Sequence, residues 1–166
     1  MGARPREIIT FDCAGLLTAD WVGFLTGRVL GIDVGQRRIG LAISDPSRTL
    51  ARPLVTLTVG DHDAVDRVAG EIARLAGEDD GLAMVVVGMP LRLDGSPDEH
   101  APRVAAFVQA LKGRTSIPVV GEDERLTSRE AESRLAFRER DWRKRKARLD
   151  AAAAAIILQD YLDRHA

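Results

Sequence analysis

Asp33 is the first residue whose position suggests chemistry, because it lies near the end of an apolar run, VLGIDV (29–34), that is predicted to be a β-strand. A carboxylate at the end of a central strand points into one of the layers that cover the sheet, and burying it without a partner is costly. We therefore expect Asp33 to bind a hydrogen-bond donor, a basic side chain or a metal ion. Alternatively, it stabilises the following turn through amides around Gly35.

A second group of acids follows the predicted fifth strand, in the sequence GEDER (121–125). Side chains alternate along a strand, so Glu122 and Glu124 are predicted to face one way and Asp123 the other. Ligands of α/β sheets gather at the carboxyl ends of strands, where the strand of Asp33 also ends. The alternative is that these acids are simply solvated.

A third acid, Asp150, begins the last predicted helix, at about 149–163. It shares one helical stripe with Ala154, Ile157 and Tyr161, and its small apolar neighbours predict that this stripe packs on the sheet. A carboxylate in the first turn of a helix also interacts favourably with the helix dipole, by about 0.3–1 kcal/mol. That interaction is the alternative explanation for an acid here.

Three carboxylates at one end of a sheet predict a site for a hard divalent cation such as Mg²⁺ or Mn²⁺. Two such ions about 3.5–4 Å apart can activate a water and stabilise the leaving oxygen in phosphoryl transfer. The sequence has one cysteine, Cys13, which excludes an internal disulfide and a cysteine-based zinc site, and it has no HExxH motif. The isolated histidines are expected at the surface; they are His62, His100 and His165.

A basic segment immediately precedes Asp150. Positive charge beside an acidic metal site suits a phosphodiester substrate, although a run of charges can also be a solvated helix face. The segment has no glycine, so it is predicted to extend the last helix. Its basic residues are Arg138, Arg140, Arg143, Lys144, Arg145, Lys146 and Arg148.

Composition places these residues in one ordinary globular domain. The chain has 166 residues, 45% of them apolar and 30% charged, with a net charge of -1, so nucleic-acid binding would depend on local charge. No run of about 18 apolar residues is present, so we expect no membrane span and a cytoplasmic location. Residues 1–27 lack periodicity and are predicted to be an N-terminal extension, disordered in part, outside a core domain of residues 28–166.

The elements that must position the acids follow the order β-β-β-α-β-α-β-α-α. Three leading strands joined by tight turns are expected to be antiparallel neighbours, and the later strands, reached through helical crossovers, parallel to the first. Gly35 is predicted to give the first turn its backbone freedom. Ser96 and Glu99 are predicted to cap the second helix, and Thr127 and Glu130 the third. The predicted strands are 28–34, 38–44, 52–59, 82–88 and 117–123, and the first helix begins near Asp61.

Four segments resemble the YqgF/RuvX family, whose members are described as pre-16S rRNA nucleases or Holliday-junction resolvases of the RNase H-like superfamily. They are GIDVGQRRIGLAISD (31–45), VVVGMPLRLDGS (85–96), DERLTSREAE (123–132) and LDAAAAAIILQDYL (149–162). The four occur in the family's order and spacing and cover nearly everything from residue 28 onward. The resemblance implies an α/β, RNase H-like fold with a mixed five-stranded sheet flanked by helices.

The resemblance also implies a hydrolase that cuts phosphodiester bonds, with Asp33, Glu124 and Asp150 as the catalytic and metal-binding triad for two Mg²⁺ or Mn²⁺ ions. Its implied role is maturation of the 5′ end of 16S rRNA in ribosome biogenesis. The residues expected to contact nucleic acid are Arg125, Gly95 through its backbone, and the basic cluster Arg143, Lys144, Arg145, Lys146 and Arg148.

The expected partners are pre-rRNA and ribosomal particles, with the chain acting as a monomer or homodimer and without a membrane. Two other functions remain open at this point: a resolvase acting on branched DNA, and a non-catalytic RNA-binding assembly factor. An actin-like ATPase or sugar kinase also uses a strand–Asp–x–Gly hairpin, but it needs two such domains, and this chain of 166 residues has one copy.

Overall fold

The computed structural model of the protein describes residues 27–60, 62–90, 98–123 and 142–165, with the side chains of Asp123 and of 142–147 outside the description. The predictions for the N-terminal extension, except Gly27, and for the caps at Ser96, Thr127 and Glu130 concern residues outside these ranges. In the described ranges, no helix combines the length and apolarity needed to cross a bilayer.

The five strands form one mixed sheet in the order β3-β2-β1-β4-β5. β1 pairs antiparallel with β2, and β2 with β3, whereas β1 and β4, and β4 and β5, are parallel. The predicted sheet is therefore confirmed, and the first two strands have the predicted bounds. The strands are β1 (Arg28–Val34), β2 (Arg38–Ser44), β3 (Ala51–Thr58), β4 (Leu82–Met89) and β5 (Val119–Asp123).

Helices cover both faces of this sheet. α1 (Ala64–Ala76) and α2 (Ala101–Lys112) pack on one face, and α3 (Trp142–Arg164) packs on the other. The 3.6-residue spacing of apolar positions in α1 and α2 is the reason that each helix presents one apolar stripe to the sheet. Most apolar residues of these stripes are buried, namely Val68, Ile72 and Leu75 in α1 and Val104, Phe107, Val108 and Leu111 in α2, and Val65 in α1 is partly buried.

Two predictions about local structure are wrong: the start of α2 and the backbone conformation of Gly35. α2 begins at Ala101, and Glu99 lies in a turn in which the Ala101 amide donates to the Asp98 carbonyl oxygen at 3.0 Å. A helix beginning at Pro97 would carry Pro102 in its interior, where its missing N–H and its ring cost about 3 kcal/mol. Gly35 does not adopt a positive φ. A Cβ there would lie 2.5 Å from the Arg38 carbonyl oxygen, so close approach favours glycine.

α3 begins at Trp142, well before the predicted start near residue 149. The glycine-free basic segment is helical from that point, as its composition predicted. Asp150 therefore lies eight residues after the start of the helix. The helix dipole acts on charges in the first turn, and Asp150 lies beyond that turn. The helix-dipole explanation for Asp150 is wrong, and another reason is needed for an acid on the packed side of α3.

Candidate active site

Asp33 belongs to the face of the sheet that α3 covers. Leu30 and Ile32 join the core under α1 and α2, whereas Val29 packs in the α3 cluster. Gly31 also faces α3, because a Cβ there would lie 2.7 Å from the Leu158 Cβ. Alternation along β1 therefore places Asp33, two residues beyond Gly31, on the α3 side.

Asp150 is brought to the same place by a close backbone contact. Gly40 on β2 is the cross-strand partner of Asp33. A Cβ on Gly40 would overlap the Asp150 carbonyl oxygen, so the backbone of α3 rests directly on this strand position. Two carboxylates that are far apart in sequence thus become neighbours above the β1–β2 pair.

The electrostatics of Asp33 reflect this placement. Burial, together with a smaller effect of the negative charge of Asp150, raises the pKa of Asp33 from 3.8 to about 6. The Gly35 amide donates to the Arg38 carbonyl oxygen at 2.9 Å, so that amide serves the turn itself rather than Asp33. This weighs against the turn-stabilising alternative for Asp33.

Asp150 is paired with a basic side chain. The Arg38 Nε donates to the Asp150 Oδ2 at 2.7 Å, and each side chain is 26% exposed. Arg38 lies two residues before Gly40 on β2, so it reaches Asp150 from the same face of the sheet. The site therefore holds two carboxylates and one guanidinium at the carboxyl end of β1.

Glu122 forms an ion pair, an environment that differs from both the shared site and the solvated position considered in the sequence analysis. Its side chain is 11% exposed and forms an ion pair with Arg164, near the C-terminal end of α3. This pair joins β5 to α3 and accounts for an acid at this strand end. The structure therefore gives Glu122 a partner at the opposite end of α3 from Asp150.

The remaining predicted site residues are described only in part. Glu124, Arg125 and Gly95 lie outside the described residues, and the side chains of Arg143, Lys144, Arg145 and Lys146 are likewise outside, although their backbone belongs to α3. Arg148 is exposed. It lies two residues before Asp150, about 200° around the helix, so it leaves α3 on another face.

The donor set suits a hard divalent cation. Carboxylate oxygens are the ligands that Mg²⁺ and Mn²⁺ prefer, and a cation between Asp33 and Asp150 would offset both their mutual repulsion and the burial of Asp33. In the ranges that the structure describes, no group of three His, Cys, Asp or Glu side chains is placed to hold a metal. The third predicted ligand, Glu124, lies outside those ranges.

Sequence reasoning missed two residues of this site, Gly40 and Arg38. Glycine inside a strand often marks the close approach of another backbone, and that signal was present in the second strand. The choice between Arg37 and Arg38 as a partner for Asp150 could also follow from alternation once the helix was assigned to one face. Which backbone approaches Gly40, and which arginine faces Asp150, follow only when the layer that covers each face is known.

Comparison with known proteins identifies the family of this chain. The sheet order and the flanking helices are those of the predicted α/β fold with a mixed five-stranded sheet. A family profile described as "RuvX: Holliday junction resolvase" matches residues 27–164. The chain therefore belongs to the RuvX family, and the resemblance inferred from its motifs is confirmed.

Individual relatives cover the same part of the chain. A "Putative pre-16S rRNA nuclease" of Roseiflexus sp. is 42% identical over 138 residues, covering 82% of this chain and 94% of the relative. A protein of the same description from Chloroflexus aggregans is 46% identical, covering 81% and 92%. Among solved structures, T. thermophilus RuvC in complex with Holliday junction substrate is similar at 16% identity and a TM-score of 0.48, covering 83% of this chain and 95% of that chain.

Proposed function

We propose that this protein is a divalent-metal-dependent endonuclease that hydrolyses phosphodiester bonds in the precursor of 16S rRNA, during maturation of its 5′ end in the cytoplasm. The observation that carries the proposal is the juxtaposition of Asp33 and Asp150 on the α3 face of the sheet. Relatives that are 42% and 46% identical and are described as pre-16S rRNA nucleases support the choice of substrate.

In this proposal Asp33 and Asp150, together with Glu124, hold Mg²⁺ or Mn²⁺. When bound, such ions stabilise the charge that develops on a phosphoryl group and generate a nucleophile from water at neutral pH. Asp33 contributes a largely desolvated carboxylate, and charge interactions in such a site are stronger than in bulk water. Gly40 contributes the close contact that fixes Asp150 at the required position.

The basic residues near the site are proposed to hold the nucleic-acid backbone. Arg125 follows the third acid directly, and Gly95 would offer a backbone amide to a phosphate. Along α3, Arg143 and Lys146 stand seven and four residues before Asp150, and such positions share one face of a helix. Replacement of Lys146 is therefore expected to weaken nucleic-acid binding more than the same replacement of Arg148.

A cleavage assay tests the proposal. A labelled RNA that contains the 5′ precursor segment of 16S rRNA is incubated with the protein in Mg²⁺, in Mn²⁺ and in EDTA, beside a four-way DNA junction of equal strand length. We expect metal-dependent cutting of the RNA, and we expect Asp33→Asn to lower the rate at least about 1,000-fold because a charged ligand is lost. Asp160→Asn, the same change elsewhere on α3, is the control.

The second candidate function is a resolvase that acts on branched DNA, which the description of the matching family favours. Preferential cutting of the four-way junction would support that function and contradict the RNA proposal. Binding of the RNA without cutting under any metal condition would instead indicate a non-catalytic assembly factor. Normal cutting by Asp33→Asn would contradict the proposed metal site.

A further inference from the structure

The ion pair between Arg38 and Asp150 places a positive charge inside the proposed metal site. The Arg38 Nε lies 2.7 Å from the Asp150 Oδ2. The neighbouring Arg37 has an exposed side chain, and its backbone carbonyl accepts a hydrogen bond from the Val59 amide at 3.0 Å. Two consecutive arginines, one in the turn and one at the start of β2, thus have different environments, and only Arg38 contacts a site carboxylate in the described structure.

Asp150 does not depend on Arg38 for its place in the fold. The α3 backbone is seated on Gly40, and the buried residues Ala154 and Leu158 continue that contact along β1 at Gly31. The contribution of Arg38 is therefore mainly its positive charge. Its guanidinium contacts Asp150, one of two carboxylates that repel each other. A guanidinium in this position partly offsets that repulsion.

We propose that Arg38 is a built-in counter-ion for the carboxylate pair and that a divalent cation must compete with it for Asp150. This inference rests on the proposed function, because it requires that Asp33 and Asp150 bind such a cation. The physical reason is that a guanidinium hydrogen-bonded to a carboxylate repels a second cation on the same group. Arg38 then keeps the site compact without metal and weakens metal binding.

Calorimetric titration of Mn²⁺ into the metal-free protein tests this inference without any measure of cleavage. Arg38→Gln keeps a hydrogen-bonding side chain of related shape but removes the charge, and Arg37→Gln is the matched control one residue away. We expect Arg38→Gln to bind Mn²⁺ about fivefold more tightly, which is the size of a partly exposed ion pair. It should also melt at a lower temperature in EDTA, whereas Arg37→Gln should match the wild type in both measurements.

Weaker Mn²⁺ binding by Arg38→Gln would overturn the proposal, because it would mean that Arg38 holds Asp150 in the orientation a cation needs. Equal gains for Arg38→Gln and Arg37→Gln would also overturn it, because they would indicate only a long-range charge effect. If Arg38→Gln does not fold, Arg38→Lys is used instead. Lysine keeps the charge with a different hydrogen-bond geometry, so affinity close to that of the wild type supports competition by charge and a large loss contradicts it.

Asp33→Asn in the same titration separates this inference from the proposed function. If the wild type and Asp33→Asn bind Mn²⁺ equally, the metal site itself is wrong and both proposals fail. If Mn²⁺ binding requires Asp33 but is unchanged in Arg38→Gln, only the counter-ion role of Arg38 fails.

Discussion

On the face covered by α1 and α2, the sheet meets large side chains such as Ile72, Phe107 and Leu111, whereas on the face covered by α3 it combines apolar side chains such as Val29 and Met84 with two glycines. The first face is stabilised by apolar burial, which tolerates small shifts of a helix. On the second face the α3 backbone touches the strands at Gly31 and Gly40. The comparison teaches that apolar burial stabilises both faces of this sheet, while the close backbone contacts on the α3 face also bring two carboxylates together.

The largest effect on stability and cleavage is expected from adding a methyl group at Gly40, on the face of the sheet that α3 covers. Gly40→Ala would overlap the Asp150 carbonyl oxygen and push α3 away from β2. We expect a loss of about 3 kcal/mol in the free energy of unfolding and about a 100-fold loss of cleavage in the folded protein, because Asp150 is displaced. Urea unfolding and single-turnover cleavage measure the two effects.

Gly70→Ala is the control for that prediction. A Cβ on Gly70, within α1, meets nothing within 4 Å, so the same substitution is expected to stabilise the protein by about 1 kcal/mol through helix propensity. Equal cleavage by Gly40→Ala and the wild type would show that the separation of the carboxylates does not depend on this contact.

Shortening a side chain on the face covered by α1 and α2 should lower the stability of the protein without changing metal binding at the site. Leu111 of α2 is fully buried, so Leu111→Ala is expected to cost about 3 kcal/mol through lost burial and a cavity. Because none of the site residues that the structure describes is on that face, Mn²⁺ affinity below the unfolding transition should remain that of the wild type. A clear fall in affinity would mean that the two faces are mechanically coupled.

The stability of the metal-free protein should fall as the pH rises through the raised pKa of Asp33. The folded protein binds this proton with a pKa of about 6 and the unfolded chain with 3.8, so the contribution is fully present below about pH 4 and is lost above about pH 6. The loss is expected to be about 2–3 kcal/mol. Urea unfolding in EDTA between pH 4 and 8 measures it.

Asp33→Asn, unfolded under the same conditions, isolates that contribution. The difference in unfolding free energy between this variant and the wild type should grow in favour of the variant over the same pH interval. A difference that does not change with pH would contradict the buried environment assigned to Asp33.

The smallest effect is expected at the distant end of α3. Arg164→Ala removes the partner of Glu122, and the pair is half exposed on the arginine side. We expect a loss of about 1 kcal/mol or less, with no change in Mn²⁺ affinity. A large drop in affinity would place Glu122 in the metal site and would revise the division of roles among the acids.

The sequence predicted the face covered by α1 and α2 better than the face covered by α3. Alternation in β1 and helical spacing in α1 identify which residues are buried, because burial depends on side-chain size and period. The apolar period placed the start of α3 only near residue 149, because the first turns of this helix are basic; the absence of glycine was the one signal for the earlier start at Trp142. The start of α2 was missed because a proline inside the predicted helix outweighs a good capping sequence.

For the candidate site, the family motifs and the ends of the strands were enough to bring Asp33 and Asp150 together. Arg38 and Gly40 were not identified, because their roles arise only when α3 lies on β2. Local sequence does not encode which helix covers which face, so contacts between layers are the part that requires the structure.

The most direct test of the central claim is a double-mutant cycle on Mn²⁺ affinity with Asp33→Asn, Asp150→Asn and the double variant, measured by calorimetry beside Asp160→Asn. If the two carboxylates hold the same cation, each single variant should abolish most of the binding and the double variant should lose little more. Independent and additive losses, or singles that bind as tightly as Asp160→Asn, would contradict the claim that Asp33 and Asp150 form one site.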